Sequence, residues 1–397
     1  MTPVVEEGPD RALLEKLLPL LPKAGITRLA DVTGLDCIGL PVVLAIRPLG
    51  RSLAVSQGKG LTPIQARIAA VLEALELHHA ERHRLPTRYA RAAELARDHR
   101  LADLDKLPRR RGARADRQQP LLWVEGSDLR DGGARWLPYE LVHTDFTLPQ
   151  PAFTGAFPQT TNGLGAGASR MRALRHALLE VIERDGLALL AAAPVGLTAR
   201  LLDLSGVDDP ACRFVLDRWS SAGLAVVAVD ATSDIGIATV SCRLVPRSTA
   251  TSPMAHVPEG SAADPVPERA LLRALLEAVQ ARLTFVAGTR DDLSPRDYVA
   301  LDGAREHGFW RAHADADLPR RALCELQRGP AEDDAAIVAW TRRRLAEVGL
   351  DQIIAVDLDD PEFGIPVVRV IVPGLEPPPH PTHLPGRRAL AAGAASP

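Results

Sequence analysis

Five glutamates carry the spacing most suited to chemistry in this chain. Glu73 and Glu76 stand three residues apart, Glu180 and Glu183 do the same, and Glu277 lies in a third stretch of similar make-up. Residues three and four apart share one face of a helix. On such a face Glu73 and Glu76 line up with Thr62, Ala66, Ala69 and Ala80. Glu180 and Glu183 line up with Arg172, Ala173, His176 and Ala177, and Glu277 with Ala270, Arg273, Gln280, Ala281 and Thr284. Two carboxylates at that spacing repel unless a cation or water separates them. Solvent-facing strips usually carry long Lys/Glu pairs, whereas alanine neighbours leave room beside the acids. Any one helix taken alone reads more readily as a solvated face. Three together suit Mg²⁺, which takes oxygen ligands and keeps positions for phosphate oxygens.

The strips require three long helices. Thr62 and Pro63 fit the N-cap and first turn of a helix over 63–84, and the same patterning predicts helices over 169–192 and 267–288. Their remaining positions are apolar, for example Val71, Leu75, Leu178, Ile182, Leu271 and Leu275, so each helix buries most of its circumference. The glycine-rich stretches VSQGKG (55–60) and TNGLGAG (161–167) stand directly ahead of two of them. A helix N-terminus approached through glycines is a ready anion site, and a plain turn is the other reading. The first stretch is not a GxxxxGK[ST] phosphate loop, because no glycine lies five residues before Gly58.

Around these helices the pattern predicts a first helix over 10–22 with Asp10 as N-cap, and strands over 41–48, 52–57, 121–126, 353–358 and 366–373. Residues 226–244 read as two strands about a turn, and 332–348 as a further helix. Strands and helices intermingle without strict βαβ alternation, which gives a mixed α/β (α+β) class. The Arg-rich stretch 106–120 reads as a solvated excursion, and 377–397 as a Pro/Ala-rich flexible tail without means to pack a core. A net charge of −3 argues against nucleic acid as a partner. No apolar run approaches membrane-spanning length and no signal peptide is visible, so a cytoplasmic, soluble protein is expected. Four scattered cysteines (Cys37, Cys212, Cys242, Cys324) read as buried small hydrophobes. His78, His79 and His83 read as surface residues rather than metal ligands.

From about Thr27 to Leu375 the chain resembles the YcaO family. The resemblance is carried by GITRLADVTGLDCIGLPVV (25–43), SLAVSQGKG (52–60), EALE (73–76) with HHAER (78–82), TNGLGAG…ALLEVIERD (161–185), VDATSDIGI (229–237), RALLEAVQARLTFVAGTRDDL (273–293) and PVVRVIVPGLE (366–376). It implies a fold of mixed β-sheets with Glu-bearing helices converging on an ATP site. It divides the chain into an N-terminal helical segment (1–24), a catalytic domain (25–376) and the tail. The implied cofactors are ATP and Mg²⁺. The implied metal residues are Glu73, Glu180, Glu183 and Glu277, with Lys59, Glu76, Arg184, Arg273 and Gln280 along the nucleotide. Arg282 and the run 290–292 read as structural or peripheral. The implied activity is phosphorylation of a backbone amide oxygen of a precursor peptide, which leaves a thioamide, azoline or amidine according to the nucleophile.

The segments over 25–60 and 366–376 look most like the branch that works with TfuA-like partner proteins and forms thioamides; a homodimer is compatible with this. Azoline formers often end in a PxPxP run that reaches the active site, whereas here twelve residues follow Pro385. Three positions depart from the family pattern: Ala69 in place of a serine, Ala168 of an asparagine, and Arg172 of a metal-binding glutamate. Alternatives are an azoline-forming cyclodehydratase, a non-catalytic peptide-binding subunit, and a small-molecule kinase or ligase.

Overall fold

A computed structural model describes residues 7–113, 118–149, 154–193, 197–248, 256–293, 295–298 and 303–394. The chain runs through α1 (Glu7–Leu17), β1 (Arg28–Asp31), β2 (Val42–Ile46), β3 (Val55–Lys59), α2 (Pro63–Arg82), β4 (Thr87–Ala90), α3 (Ala92–Leu95), β5 (Arg109–Arg110), β6 (Leu121–Asp128) and β7 (Ala134–Pro138). There follow β8 (Leu164–Ala166), α4 (Arg170–Ala192), β9 (Leu202–Asp203), α5 (Pro210–Ser221), β10 (Leu224–Asp230), β11 (Thr239–Pro246), β12 (Glu259–Ala263) and α6 (Pro267–Ala287). The last elements are α7 (Gly303–Asp315), β13 (Arg321–Ala322), α8 (Asp334–Glu347), β14 (Ile354–Asp357), β15 (Val367–Ile371), β16 (His383–Leu384) and α9 (Arg387–Ala394). This is the mixed architecture that the sequence pattern implied.

Three sheets dominate: β1-β2-β3, β10-β11-β12, and the larger β4-β6-β14-β15-β8, on which β7 pairs with β6. Each has an edge strand (β3, β12 and β8) that leads into one of the Glu helices. The connectors are of equal length, residues 60–62, 167–169 and 264–266. Counted from its first residue, each helix has alanine at the fourth position (66, 173, 270) and eighth position (70, 177, 274), all fully buried. The eleventh residue is Glu73, Glu180 or Glu277, and the fourteenth is Glu76, Glu183 or Gln280. Thr62 and Ser169 cap two of the helices by accepting the Gln65 and Arg172 backbone N–H groups.

Glycine sets the depth of this packing. A Cβ on Gly58 would lie 2.1 Å from the Ala66 carbonyl oxygen, and one on Gly165 would lie 2.4 Å from that of Ala173. Gly58 and Gly165 therefore let strand and helix backbones touch. Both lie in strands and not in turns: β3 runs through to Lys59 and β8 takes in Gly165, which leaves Gly60 and Gly167 in the connectors ahead of the helices.

One apolar core packs α2 between Val43 and Ala45 of the first sheet and Leu164, Val356 and Val367 of the large sheet. A second joins the other face of the first sheet to α6 and β11, and a third joins α4 and α8 to Val368 and Val370. Together they clamp the three helices at fixed distances.

Several expectations are corrected. The first helix begins at Glu7 and gives way at Leu18–Leu20 to a tighter turn, because Pro19 and Pro22 interrupt it. Asp10 lies inside that helix and accepts from Gln65 Nε2 at 3.2 Å instead of capping. The tail is not a free segment. His383 and Leu384 pair with Arg110 and Arg109 of the Arg-rich stretch, of which residues 114–117 lie outside the described residues. Glu376 accepts the N–H groups of Gly386, Arg388 and Ala389, which starts α9, and Arg388 binds Asp185 of α4 at 2.8 Å. Cys212 and Cys242 are buried as expected, but Cys37 and Cys324 are exposed. His79 is 2% exposed, packed on Phe363, rather than a surface residue.

Candidate nucleotide and metal site

The glutamates at the eleventh and fourteenth positions of the three helices are close enough to feel one another's charge: Glu277 acts on Glu73, Glu180 and Glu183, and Glu180 acts on Glu76. Each carboxylate is anchored differently. Glu73 accepts the Gln57 N–H of β3 at 3.3 Å, and Glu76 accepts the Ala166 N–H of β8 at 2.7 Å. Glu183, buried, accepts the Ser261 hydroxyl of β12 at 2.6 Å. The edge strands thus hold not only their own helices but the acids of neighbouring ones.

Cations are interleaved with these acids. Lys59 Nζ lies 2.5 Å from Glu277, and Arg184 lies 3.2 Å from Glu183 and 4.0 Å from Glu180. Arg273 donates to His176 Nδ1 at 3.4 Å and lies 4.0 Å from Asp264. Gln280 occupies the position on α6 that glutamates hold on the other two helices. Arg172 is exposed at the mouth, and a Cβ on Gly167 would lie 2.8 Å from its Cγ. Arg282 binds Asp36 at 3.3 Å and Asp291 accepts the Ala54 N–H, but Arg290 of the same run is close enough to Glu73 for its charge to pull that carboxyl down.

The electrostatics show a site short of positive charge in some places and rich in it in others. Burial pushes the Glu73 carboxyl up to about 7, against the pull of Lys59 and the Gln57 N–H. It pushes Glu180 up to about 7 against Arg184, and raises Glu76 well above the usual range with help from the Glu180 charge. Glu183 is likewise raised by burial. At Glu277 burial is outweighed by Lys59 and Arg184, so its carboxyl lies below the usual range. His176 is driven down to about 3 by burial and by Arg273, Lys59 and Arg172, and is a neutral ring at physiological pH.

Half-buried acids that resist ionisation are what a divalent cation would stabilise. Among the described residues no group of three His, Cys, Asp or Glu side chains is placed to hold an ion by itself. That fits Mg²⁺, which is commonly held by one or two carboxylates and completed by substrate phosphates and water. Lys59, Arg184 and Arg273 supply the matching positive groups for those phosphates.

The sequence reading missed four residues here. Gln57 and Ser261 position acids from neighbouring strands, and His176 shares its helix position with Ala69 and Arg273. Arg369, in β15, is 3% exposed and close enough to Glu180 for its charge to be felt there. Nothing in the local sequence marks Gln57 or Ser261; the apolar run around Arg369 could have marked it as a buried cation.

The fold and the acid-lined site together define an ATP- and Mg²⁺-binding domain outside the phosphate-loop type. Residues 57–376 match the family model described as YcaO cyclodehydratase, ATP- and Mg²⁺-binding. The chain belongs to the YcaO family, and its cofactors are ATP and Mg²⁺. It is 34% identical over 371 residues to a Rhizobium leguminosarum bv. trifolii protein described as lying in the tfuA 3′ region, with 90% of this chain and 85% of the relative covered. A Methanothermobacter thermautotrophicus protein is 34% identical over 361 residues, covering 89% of this chain and 90% of the relative. Among solved structures, YcaO from Methanopyrus kandleri bound with AMPPCP and Mg²⁺ superposes with a TM-score of 0.70 at 24% identity, covering 95% of both chains. A heterocyclase in complex with substrate and cofactor gives a TM-score of 0.76 at 20% identity; 93% of this chain matches 52% of that one, so the chain spans about half its length. No helix among the described residues is long and apolar enough to cross a membrane.

Proposed function

We propose that this protein uses Mg·ATP to phosphorylate a backbone amide oxygen of a peptide, most consistently to form a thioamide with a TfuA-like partner. The observation that carries the reading is the convergence of Glu73, Glu76, Glu180, Glu183 and Glu277 from three edge-strand helices, with Lys59 and Arg184 between them. An amide oxygen leaves poorly, and bound Mg·ATP supplies the phosphoryl group that makes it a good leaving group. In this reading Glu73, Glu180, Glu183 and Glu277 are the metal-binding acids, one or two of them to each Mg²⁺, with nucleotide phosphates and water completing the coordination. Lys59, Arg184, Arg273, Glu76 and Gln280 line the nucleotide, and the rigid packing on Gly58 and Gly165 fixes their spacing. His176, kept neutral, accepts from Arg273 and turns that guanidinium along the cleft. The relative in a tfuA 3′ region supports the thioamide branch over the azoline one.

Arg172 favours one alternative, a subunit that binds nucleotide or peptide without turnover, since a cation stands at the mouth where the family pattern has a metal-binding acid. Phosphate release from ATP, measured with purified protein, a co-encoded TfuA-like protein, candidate peptides and inorganic sulfide as the sulfur nucleophile, decides between them. Peptide-dependent release with a mass change of one oxygen to one sulfur is expected. Peptide binding with no ATP turnover in any combination would leave the non-catalytic reading.

A further inference from the structure

Helix α7 is held to the β10-β11-β12 sheet by Trp310, which is buried with Val227 and Val245 and lies under the Arg243 guanidinium at 4.7 Å. Its opposite face is bare. Arg305, Gly308, Phe309 and Ala312 are exposed, as is Ala316 just past the last turn, and spacings of three and four put them in one stripe. Phe309, in the middle, keeps 46% of its surface in water. Ala316 also lines a cleft with Leu202, Leu204 and Val226, so the apolar surface continues beyond the helix end.

The charges at the ends of the stripe run against the helix that bears them. A helix is stabilised by acids in its first turn and cations in its last. Here Arg305 stands in the first turn, Asp315 in the last, and Asp317 two residues beyond. Glu306, the acid of the first turn, is turned aside to His256 at 3.3 Å. Among the described residues Arg305, Asp315 and Asp317 form no ion pair, and all three are exposed. The stripe is thus complementary to itself: a cation at one end, acids at the other, and one ring between small residues. An antiparallel copy brings each Arg305 to the Asp315 and Asp317 of its mate, about 15 Å along the axis from its own. It also opposes the two helix dipoles and sets Phe309 over the mate's Ala312, where Gly308 and Ala312 let the axes approach closely. A parallel copy would put like charges side by side.

We propose that the exposed face of α7 joins two copies of this chain in a two-fold dimer, helix against antiparallel helix. Such a contact uses the same patch on both copies, so it closes at two and grows no further. It is independent of the nucleotide reading. α7 packs on the face of the sheet opposite to α6, so the dimer leaves the Glu277 side open.

The test is sedimentation velocity of the full chain over a range of concentrations. The proteins are wild type, Phe309→Asp, Arg305→Asp, and a triple variant with Arg305→Asp, Asp315→Arg and Asp317→Arg. Every changed residue is exposed, so the fold should survive each change. Wild type should be dimeric at micromolar concentration. Phe309→Asp sets two like charges at the centre of the contact and should leave only monomer there. Arg305→Asp opposes acid to acid twice over in a two-fold interface and should raise the dimer Kd about 10–100-fold. The triple variant exchanges the charges at both ends and should recover most of that loss, which damage to the helix could not do. A wild-type chain that stays monomeric at every concentration overturns the inference and leaves the stripe to a different protein. A dimer of equal Kd in all four proteins overturns it by placing the contact elsewhere. Failure of the triple variant to recover what Arg305→Asp loses overturns the antiparallel pairing.

Discussion

Replacing Glu180 with glutamine should stabilise the empty protein and abolish its response to nucleotide. The side chain is 19% exposed and its carboxyl is raised from 4.5 to about 7, mainly by burial. Between those two values the folded state binds more protons than the unfolded state, so stability falls as pH rises through that window and stays reduced above it. A shift of that size corresponds to about 3 kcal/mol. For a 397-residue chain this is worth about 4 °C in Tm. Glutamine keeps the shape and carries no such penalty. Near pH 5 the two proteins should melt within about 1 °C of each other, and near pH 8.5 the variant should melt about 4 °C higher. Saturating Mg·AMPPCP should bring the two proteins roughly level at the higher pH, because a ligand at 100–1,000 times its Kd adds about 3–4 kcal/mol to wild type only. Thermal unfolding at both pH values, with and without Mg·AMPPCP, makes the comparison. Equal stability of the two empty proteins at the higher pH would refute the electrostatic account. An undiminished Mg·AMPPCP shift in the variant would remove Glu180 from the metal site.

Two substitutions test the frame around the site. Gly58→Ala places a Cβ 2.1 Å from both the Ala66 carbonyl oxygen and the Ala70 nitrogen; it should cost more than about 4 kcal/mol by urea unfolding or prevent soluble expression, whereas Gly206→Ala, with nothing within 4 Å, should be near neutral. Arg388→Ala leaves the buried Asp185 carboxylate without its cation; a loss of about 3–5 kcal/mol is expected, with earlier proteolysis of 377–394 than in wild type.

The three Glu helices were legible in the sequence because periodicity, Thr62-Pro63 and Ser169 fixed both their faces and their starts. Their common register, acid at the eleventh residue, required knowing where each helix begins, and Pro267 follows a connector with no capping side chain. That the three preceding strands lie at the edges of three different sheets depends on long-range pairing and was not visible locally. Gly58 and Gly165 suggested loops because glycine is commonest there, but close backbone approach is the other reason for glycine in a strand. The tail was misjudged from composition. Its order comes from Glu376, which caps α9, and from Asp185, about 200 residues away in sequence from the arginine it holds. Arg369 stands alone among apolar residues, and only the packing of α2 on one face of β15 and α4 on the other shows that neither face meets water.

The equal connectors 60–62, 167–169 and 264–266 limit how this chain can vary in length. A single residue inserted into any one of them would turn its helix by about 100° and push it along by about 1.5 Å. The eleventh-position glutamate would then point into an alanine- and leucine-lined core, and an apolar residue would face the cleft. Loops elsewhere on the surface can lengthen at small cost, but these three tolerate substitution and not insertion. A library of one-residue insertions, sorted for folded protein that binds Mg·AMPPCP, should show three silent gaps at those connectors.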